Sequence, residues 1–500
     1  MANTTATAGT CIEFCHLGKT FSPEFTHQIF DGEVIPGYKT SIDKGKPSVS
    51  SSSEQSCTNT DLVVASNADC IKIQVSLSPS CETCRVQLSI ETVPEGDKYQ
   101  ADESRKRKLE ESENEKPTKK VCFNMSDTSN APPSADASAP LEKIQPKEIL
   151  ERLGPALPPM DALVFIDGKK SLEKDNRCTK SDVAQGYLTT PIGTKLREYQ
   201  QGDDVFILCL ATPDEVVKSY HNQIQKLALW FIETADGVDL GNTDGGSWKV
   251  LYLLRQHKLD NKEDARYSLA GYTTLYSFYS PFRKPQPGHV MRICQVIILP
   301  PYQRKGHGRK LLEAVYDFAH EKLCAREEGQ ESIREINVED PAPGFTALRN
   351  SLDYQFLFRA RWHQCDGSIE TNSLFANEKE NSFAVPDRYL SEECFENIQE
   401  RDVQEISIKS KLTRRQVQIA YEIFKLQQRN ARLMKVNNLG EGNQEKIDAI
   451  QKQYRLMVKR RLNQTHKEDL GACKNKQEKK EKLEELFQEA LEQYQRIVGK

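Results

Sequence analysis

Val290-Met291-Arg292-Ile293-Cys294-Gln295-Val296-Ile297-Ile298-Leu299-Pro300-Pro301-Tyr302-Gln303-Arg304-Lys305-Gly306-His307-Gly308-Arg309-Lys310-Leu311-Leu312 reads as a strand, a tight turn, a glycine-containing loop and a helix. Val290 to Leu299 is apolar and β-favouring, and Pro300-Pro301 stops it. Leu311, Leu312, Val315, Phe318 and Ala319 then recur at helical spacing. Gly306 and Gly308 remove Cβ atoms where the backbone must approach a ligand closely. The free N–H groups of the helix start, together with its dipole, favour phosphate. Arg304, Lys305, Arg309 and Lys310 put positive charge where a helix start ordinarily prefers acids, as a polyanionic ligand would require. No Gly-Lys-Ser/Thr ends the loop, so it is not a Walker loop, and a lone GxG makes no dinucleotide fingerprint.

Upstream, Val205 to Leu210 is a short apolar strand. Tyr220 to Thr234 is a helix or a helix running into a strand, carrying Ile224, Leu227, Leu229, Trp230 and Phe231. Asn242-Thr243-Asp244-Gly245-Gly246 is a turn, and Trp248 to Leu254 and Gly271 to Tyr279 are β-rich runs. Ser280 to Gly288, with Pro281, Pro285 and Pro287, must be a loop. The middle of the chain is therefore expected to be a mostly antiparallel sheet with helices. After about residue 395, Val417, Ala420, Tyr421 and Phe424, and later Leu483 to Val498, keep a three-four period, which predicts a small helical bundle. Lys459-Arg460-Arg461 is either a solvated helix face or a nucleic-acid contact.

Two stretches, 41–68 and 96–142, hold too little apolar surface to offset ordering entropy and are expected to be disordered insertions. Cys70 to Val93 between them alternates apolar and polar residues and predicts a hairpin. Cys81-Glu82-Thr83-Cys84 lies at its turn; with no second pair at zinc spacing, it reads as part of the hairpin or as a redox pair. Lys106-Arg107 and Lys119-Lys120 suit a nuclear-import receptor, or belong to a polyampholyte linker balanced by Glu110, Glu111, Glu113 and Glu115. The 500 residues predict two to four domains. A formal net charge of -4 argues against non-specific nucleic-acid binding by the whole chain. No apolar run approaches a membrane span, and the Met1-Ala2-Asn3-Thr4-Thr5 start lacks secretory features, so a reduced, intracellular protein is expected.

Gln303-x-x-Gly306-x-Gly308 after a strand closely resembles the coenzyme A pyrophosphate loop of the Gcn-five-related N-acetyltransferase (GNAT) superfamily. Trp230 to Ala235, Gly271 to Tyr276, Val338-Glu339-Asp340-Pro341 with Leu348-Arg349, and Pro23 to Phe30 with Gly37-Tyr38-Lys39 are similar to the type B histone acetyltransferase catalytic subunits. The resemblance implies a GNAT fold, a mixed and mostly antiparallel sheet with flanking helices, between an α/β amino-terminal domain and a helical carboxy-terminal domain. Its bounds here would be 11–220, interrupted by the two insertions, then 221–375 for acetyl-CoA binding and 395–500 for the helices. It implies acetyl-CoA as co-substrate and no metal. The expected reaction is direct acetyl transfer to lysines in the amino-terminal tail of free, newly synthesised histone four, with histone three alongside. A WD-repeat β-propeller histone-binding partner and a location in nucleus and cytoplasm are also implied, with neither membrane nor sequence-specific nucleic acid.

A lysine ammonium, with a pKa of about 10.4, needs a general base near pH 7. A carboxylate serves when partial burial raises its pKa. Glu339 ends the strand Ile333 to Val338 and by resemblance takes that role, with Asp340 and Glu233 as further carboxylates; the alternative is that Glu339-Asp340-Pro341 merely caps the next helix. Backbone groups of Val296, Ile297 and Ile298 are expected to hold the pantetheine arm and the carbonyl oxygen, and Gln303, Arg304, Lys305, Gly306, His307, Gly308 and Arg309 the pyrophosphate. His307 sits in the phosphate loop, too far from the thioester to be the base, and Cys294 in its apolar strand reads as inert core. By resemblance Glu33, Trp248, Tyr276, Ser277 and Phe278 line the histone groove, with Asp31, Asp236, Asp239 and Asp244 to offset basic flanks. The loop after Phe30 is shorter here than the family pattern. A catalytically weak histone escort working through the β-propeller partner, and a small-amine or other protein N-acetyltransferase, are the competing readings.

Overall fold

The computed structural model describes residues 12–24, 38–40, 62–64, 69–92, 151, 153–167, 186–233, 235–258, 265–282, 287–320, 332–362, 385–438 and 443–499. Both basic clusters, Glu33 and Asp31, and most of the two expected insertions lie outside these residues. The chain clusters into two units, the first made of residues 1–189, 219–238 and 266–268 and the second of the remainder.

In the first unit, the alternating run at Ile12 forms β1 (Ile12–His16), which turns through Leu17 and Gly18 into β2 (Lys19–Phe21). Strand β3 (Tyr38–Thr40) pairs with β4 (Leu62–Val64), so the three β-favouring residues of β4 form a strand inside the 41–68 stretch read as an insertion. Strands β5 (Asp69–Leu77) and β6 (Cys84–Thr92) are the expected hairpin, and β7 (Met160–Asp167) completes a sheet of order β2-β1-β5-β6-β7. Its turn is closed by the Ser78 N–H donating to the Thr83 carbonyl. Cys81 and Cys84 are both free and buried in this hairpin; burial pushes the Cys84 thiol up to about 12 and raises Cys81 as well, which removes the redox alternative.

Residues 190–218 were grouped with the amino-terminal domain by sequence, yet they cluster with the second unit, because β8 (Thr194–Gln201) and β9 (Asp204–Ala211) extend its sheet. Helix α1 (Glu215–Ile224) runs through a 3-10 turn into α2 (Ala228–Phe231), so Tyr220 to Phe231 is helical and no strand follows. The reason is in the spacing: Tyr220, Ile224, Leu227, Ala228 and Phe231 are buried at intervals of a helical face. Trp230 is fully buried in the first unit, edge-on to Phe14 at 5.1 Å, and its indole N–H donates to the Ala156 carbonyl at 2.8 Å.

The second unit is built on β10 (Gly246–Lys258), β11 (Ala265–Ser280), β12 (Gly288–Ile298), α3 (His307–Ala319) and β13 (Ile333–Val338). The sheet order is β13-β12-β11-β10-β9-β8. Pairings β8/β9, β9/β10 and β11/β12 are antiparallel, and β12/β13 is parallel. This is the expected mixed, mostly antiparallel sheet. The buried side of α3, with Leu311, Leu312 and Val315, packs on β10, β12 and β13.

Helix α4 (Pro343–Trp362) comes next, then α5 (Glu400–Ser410), α6 (Arg414–Asn437), α7 (Gln444–Thr465), α8 (Lys467–Gly471) and α9 (Lys476–Val498). Helix α6 lies on α4, where Phe358 and Phe424 stack at 4.4 Å. Asp353 of α4, fully buried, accepts from Tyr316 of α3 at 2.5 Å and from Gln416 of α6 at 2.6 Å. The turn between α5 and α6 reaches the sheet: Ile336 N–H donates to the Lys411 carbonyl at 2.8 Å, while the Lys411 ammonium donates to Ala319 at the end of α3 at 2.6 Å. A cation at a helix C-terminus is favourable, and Lys411 adopts φ +58 to reach it. Among the described residues no helix is long and apolar enough to cross a membrane.

Within the Lys459-Arg460-Arg461 run, Arg460 is exposed as on a solvated face, but its neighbours are engaged within the protein. Arg461 is 4% exposed and donates to Glu422 of α6 at 2.8 Å, with Tyr494 of α9 donating to the same carboxylate at 3.0 Å, and Lys459 pairs with Glu484. This triad joins α6, α7 and α9. Removing one member leaves an uncompensated buried charge, so Arg461→Met should lower unfolding stability by about 3–5 kcal/mol in a urea titration. A change near zero would show that the triad holds nothing.

Candidate active site

Strand β12 keeps its partner β11 as far as Ile298 but pairs with β13 only from His289 to Ile293. The Glu339 N–H donating to the Ile293 carbonyl at 3.1 Å is the last contact of that edge. Beyond it, Cys294 to Ile298 face an edge that no described strand covers. Because the Leu299 N–H donates to Ala270, alternation puts the backbone polar groups of Ile297 on the β11 side and those of Val296 and Ile298 on the open side. Of the three expected pantetheine contacts, Val296 and the Ile298 N–H thus lie on the open side, the Ile298 carbonyl already accepts from Gln303, and Ile297 faces β11.

Gln303 bridges strand and loop, its amide donating to the Ile298 carbonyl at 2.9 Å. Gly306 holds φ +86 at the N-cap of α3 and gives the helix no side-chain cap, so the first amides of α3 are left to an outside acceptor. A Cβ at Gly306 would meet nothing within 4 Å; the left-handed backbone is what requires glycine there. At Gly308 a Cβ would meet Leu348 and Ile298 at 3.4 and 3.8 Å, ordinary contact distances, so packing alone does not require glycine there.

The four basic side chains of the loop divide. Arg309 donates to the 3%-exposed Glu313 at 2.7 Å and Lys310 approaches it at 3.4 Å, so an intrahelical acid accounts for these two. Arg304 and Lys305 are exposed, with the Lys305 ammonium donating to the Pro301 carbonyl at 2.6 Å. His307 points inward: its ring lies 4.2 Å from Phe206, its Nδ1 is 2.7 Å from the Tyr199 hydroxyl, and burial with Lys305 beside it pulls the imidazole down to about 4. Only its backbone is available to the loop.

The register of β12 on β11 shifts at Cys294, so Arg292, opposite Tyr276, shares the face of Tyr276 and Phe278, whereas Val296, opposite Thr273, and Ile298, opposite Gly271, lie on the other face. The phosphate loop follows one end of this stretch, and Glu339 lies at the other. The Arg292 guanidinium lies 3.5 Å from Glu339 Oε1, and Cys294 is close enough to Glu339 that burial and this carboxylate together push its thiol up to about 12. Cys294 is therefore half-buried and unreactive. The Glu339 side chain is 50% exposed, so the burial expected of a base is not present here. Asp340 is exposed at φ +34. Neither caps the next helix, since the Thr346 N–H donates to Ala342 and makes that residue the capping position. Glu233 is exposed in the first unit, just past α2.

Of the expected groove residues, Trp248, Tyr276 and Phe278 lie together. Trp248 and Tyr276 meet at 4.6 Å, Tyr276 and Phe278 stack at 5.8 Å, and Arg292 lies over Phe278 at 5.1 Å. Trp248 is fixed by its indole N–H on the Asn242 carbonyl, and Tyr276 by its hydroxyl on the Asp244 carbonyl at 2.6 Å. Gly246 lets this happen, because a Cβ there would come within 2.5 Å of the Tyr276 ring. Asp239 and Asp244 are exposed on the same turn. Arg292 links wall and carboxylate yet was not singled out from sequence.

Residues 247–334 match the acetyltransferase (GNAT) family model. Among curated relatives, a protein from Dictyostelium discoideum named histone acetyltransferase type B catalytic subunit is 34% identical over 173 residues, 33% of each chain. One of the same name from Mycosarcoma maydis is 29% identical over 282 residues, covering 56% of this chain and 51% of that one. The Homo sapiens protein of that name is 26% identical over 334 residues, 62% and 66% of the two. The chain thus spans about a third of the first of these relatives and about half of the second. It carries a GNAT acetyltransferase domain and is a relative of the histone acetyltransferase type B catalytic subunits.

Proposed function

We propose that the chain is a histone lysine N-acetyltransferase that uses acetyl-CoA. The observation that carries this is the open edge of β12 between Glu339 and the uncapped start of α3. An extended pantetheine arm would pair with Val296 and Ile298 as an added strand. Its pyrophosphate would rest on the amides of His307, Gly308 and Arg309, with Arg304 and Lys305 outside. The thioester would then lie toward Cys294 and Glu339, on the face of β12 that the aromatic wall adjoins.

The acceptor lysine would run along Trp248, Tyr276 and Phe278, whose ring faces suit an ammonium and its aliphatic stem. Glu339 takes a proton from the ammonium, and the neutral amine attacks the thioester carbonyl. The C–N bond forms, the oxyanion is held by the backbone at the open edge, and the C–S bond breaks with the thiolate regaining a proton. The exposure of Glu339 means that the bound substrates themselves would have to exclude water from it. Asp340 and Glu233 are the reserve carboxylates.

The histone four tail, with histone three, is the proposed substrate, and a WD-repeat β-propeller protein the proposed partner. Both come from the resemblance, as does a distribution between nucleus and cytoplasm. Exposed Asp239 and Asp244 beside Trp248 support a basic peptide.

Acetyl transfer to a histone-four tail peptide tests this reading. Glu339→Gln should lower kcat about a hundredfold or more while acetyl-CoA still binds. Undiminished kcat would move the base to Asp340 or Glu233, and a folded protein that binds histone without transfer would favour the escort. Gly306→Ala should strain the loop by about 1–2 kcal/mol and weaken acetyl-CoA binding up to about tenfold by calorimetry. Unchanged affinity would remove the loop from the binding site.

A further inference from the structure

The Arg292 side chain meets the proposed site twice. Its guanidinium lies over the Phe278 ring at 5.1 Å and reaches Glu339 Oε1 at 3.5 Å through Nη1. With side chains 37% and 50% exposed, this pair adds little to folding, since exposed ion pairs are screened and offset by lost rotamer freedom. Its effect is on conformation. Glu339 comes directly after the last residue of β13, next to Asp340 in a left-handed backbone, and half of its side chain meets solvent. A carboxylate in that place has several rotamers open to it. Arg292 comes from the neighbouring strand, β12, and its head already lies over an aromatic ring at 5.1 Å, so little freedom is lost when it takes the carboxylate.

Phe278 in turn stacks on Tyr276, which meets Trp248 in a tilted contact. One guanidinium therefore touches both the end of the aromatic wall and the proposed base. Cys294, at the bulge of β12, is also close to Glu339, and burial together with this carboxylate raises its thiol.

We propose that Arg292 is a positioning residue for acetyl transfer: lying on Phe278, it holds the Glu339 carboxylate beside the aromatic wall along which the acceptor lysine runs. This rests on Glu339 being the base. A lysine at 292 would keep the charge but lose the flat, stacked head, and a methionine would keep only the bulk.

The test measures kcat, KM for a histone-four tail peptide, acetyl-CoA affinity by calorimetry and thermal midpoint. The proteins are the full chain as wild type, R292M, R292K, E339Q and the R292M/E339Q pair. R292M should lower kcat about tenfold with acetyl-CoA affinity and thermal midpoint unchanged, and R292K should restore part of it. In the E339Q background, R292M should change the residual turnover by less than about twofold, because its route of action is gone. R292M with wild-type kcat, or an equal loss in both backgrounds, overturns the inference while leaving the base reading standing. E339Q with wild-type kcat overturns the base reading itself. Should R292M not fold, R292Q replaces it under the same criteria.

Discussion

The second unit depends on a mismatch in length between two neighbouring strands. Strand β12 needs partners for its backbone on both edges; β11 serves one edge to Ile298, but β13 leaves the other after Ile293. The chain ends β13 by chemistry that cannot continue a ladder: Asp340 turns into a left-handed backbone and Pro341 has no N–H to donate. The remaining length of β12 presents a row of backbone polar groups with no described strand opposite. Such an edge is a liability in a resting protein unless something extended fills it. A ligand with amides along its length is the natural occupant, and the helix start at the far end gives that ligand an anchor for negative charge.

Much of the remaining structure can be understood as holding those two ends apart at a fixed spacing. Gln303 ties the loop to the end of β12, and Gly306 in its left-handed backbone leads from the loop into α3. Behind α3, Asp353 gathers Tyr316 and Gln416, and the Lys411 turn binds both the end of α3 and the edge of β13. The carboxy-terminal helices in this way touch both the element that carries the phosphate loop and the strand that carries Glu339. Their own packing is fixed by the buried Glu422–Arg461–Tyr494 triad, in which burial raises the Glu422 carboxyl against the opposing pull of Arg461 and Tyr494.

The parts of this arrangement governed by local rules were legible in the sequence. A β-favouring run stopped by two prolines, a glycine that must be left-handed and a three-four apolar period each leave a local signature, and β12, the loop and α3 conform to it. The turn at Asn242 to Gly246 and the aromatic residues beyond it were legible for the same reason. What the sequence could not give was pairing at a distance. Arg309 and Lys310 stand four and three residues from Glu313, a spacing visible in the sequence, but the burial of Glu313 to 3% exposure is not. Arg461 looked like surface until α6 and α9 closed over it. Burial of Glu339 was expected from the chemistry and is not found, since exposure at a strand end depends on what neighbouring elements leave uncovered. Arg292 went unnoticed because its partners, Phe278 and Glu339, are contributed by two other strands.

The open edge of β12 is the central claim, and amide hydrogen exchange of the full chain, with and without acetyl-CoA, tests it most directly. The account predicts that acetyl-CoA slows exchange at Val296 and Ile298 and at His307 to Arg309, while Ile297, already paired with β11, changes little. Protection by acetyl-CoA elsewhere in the chain, with Val296 and Ile298 exchanging as before, would contradict it.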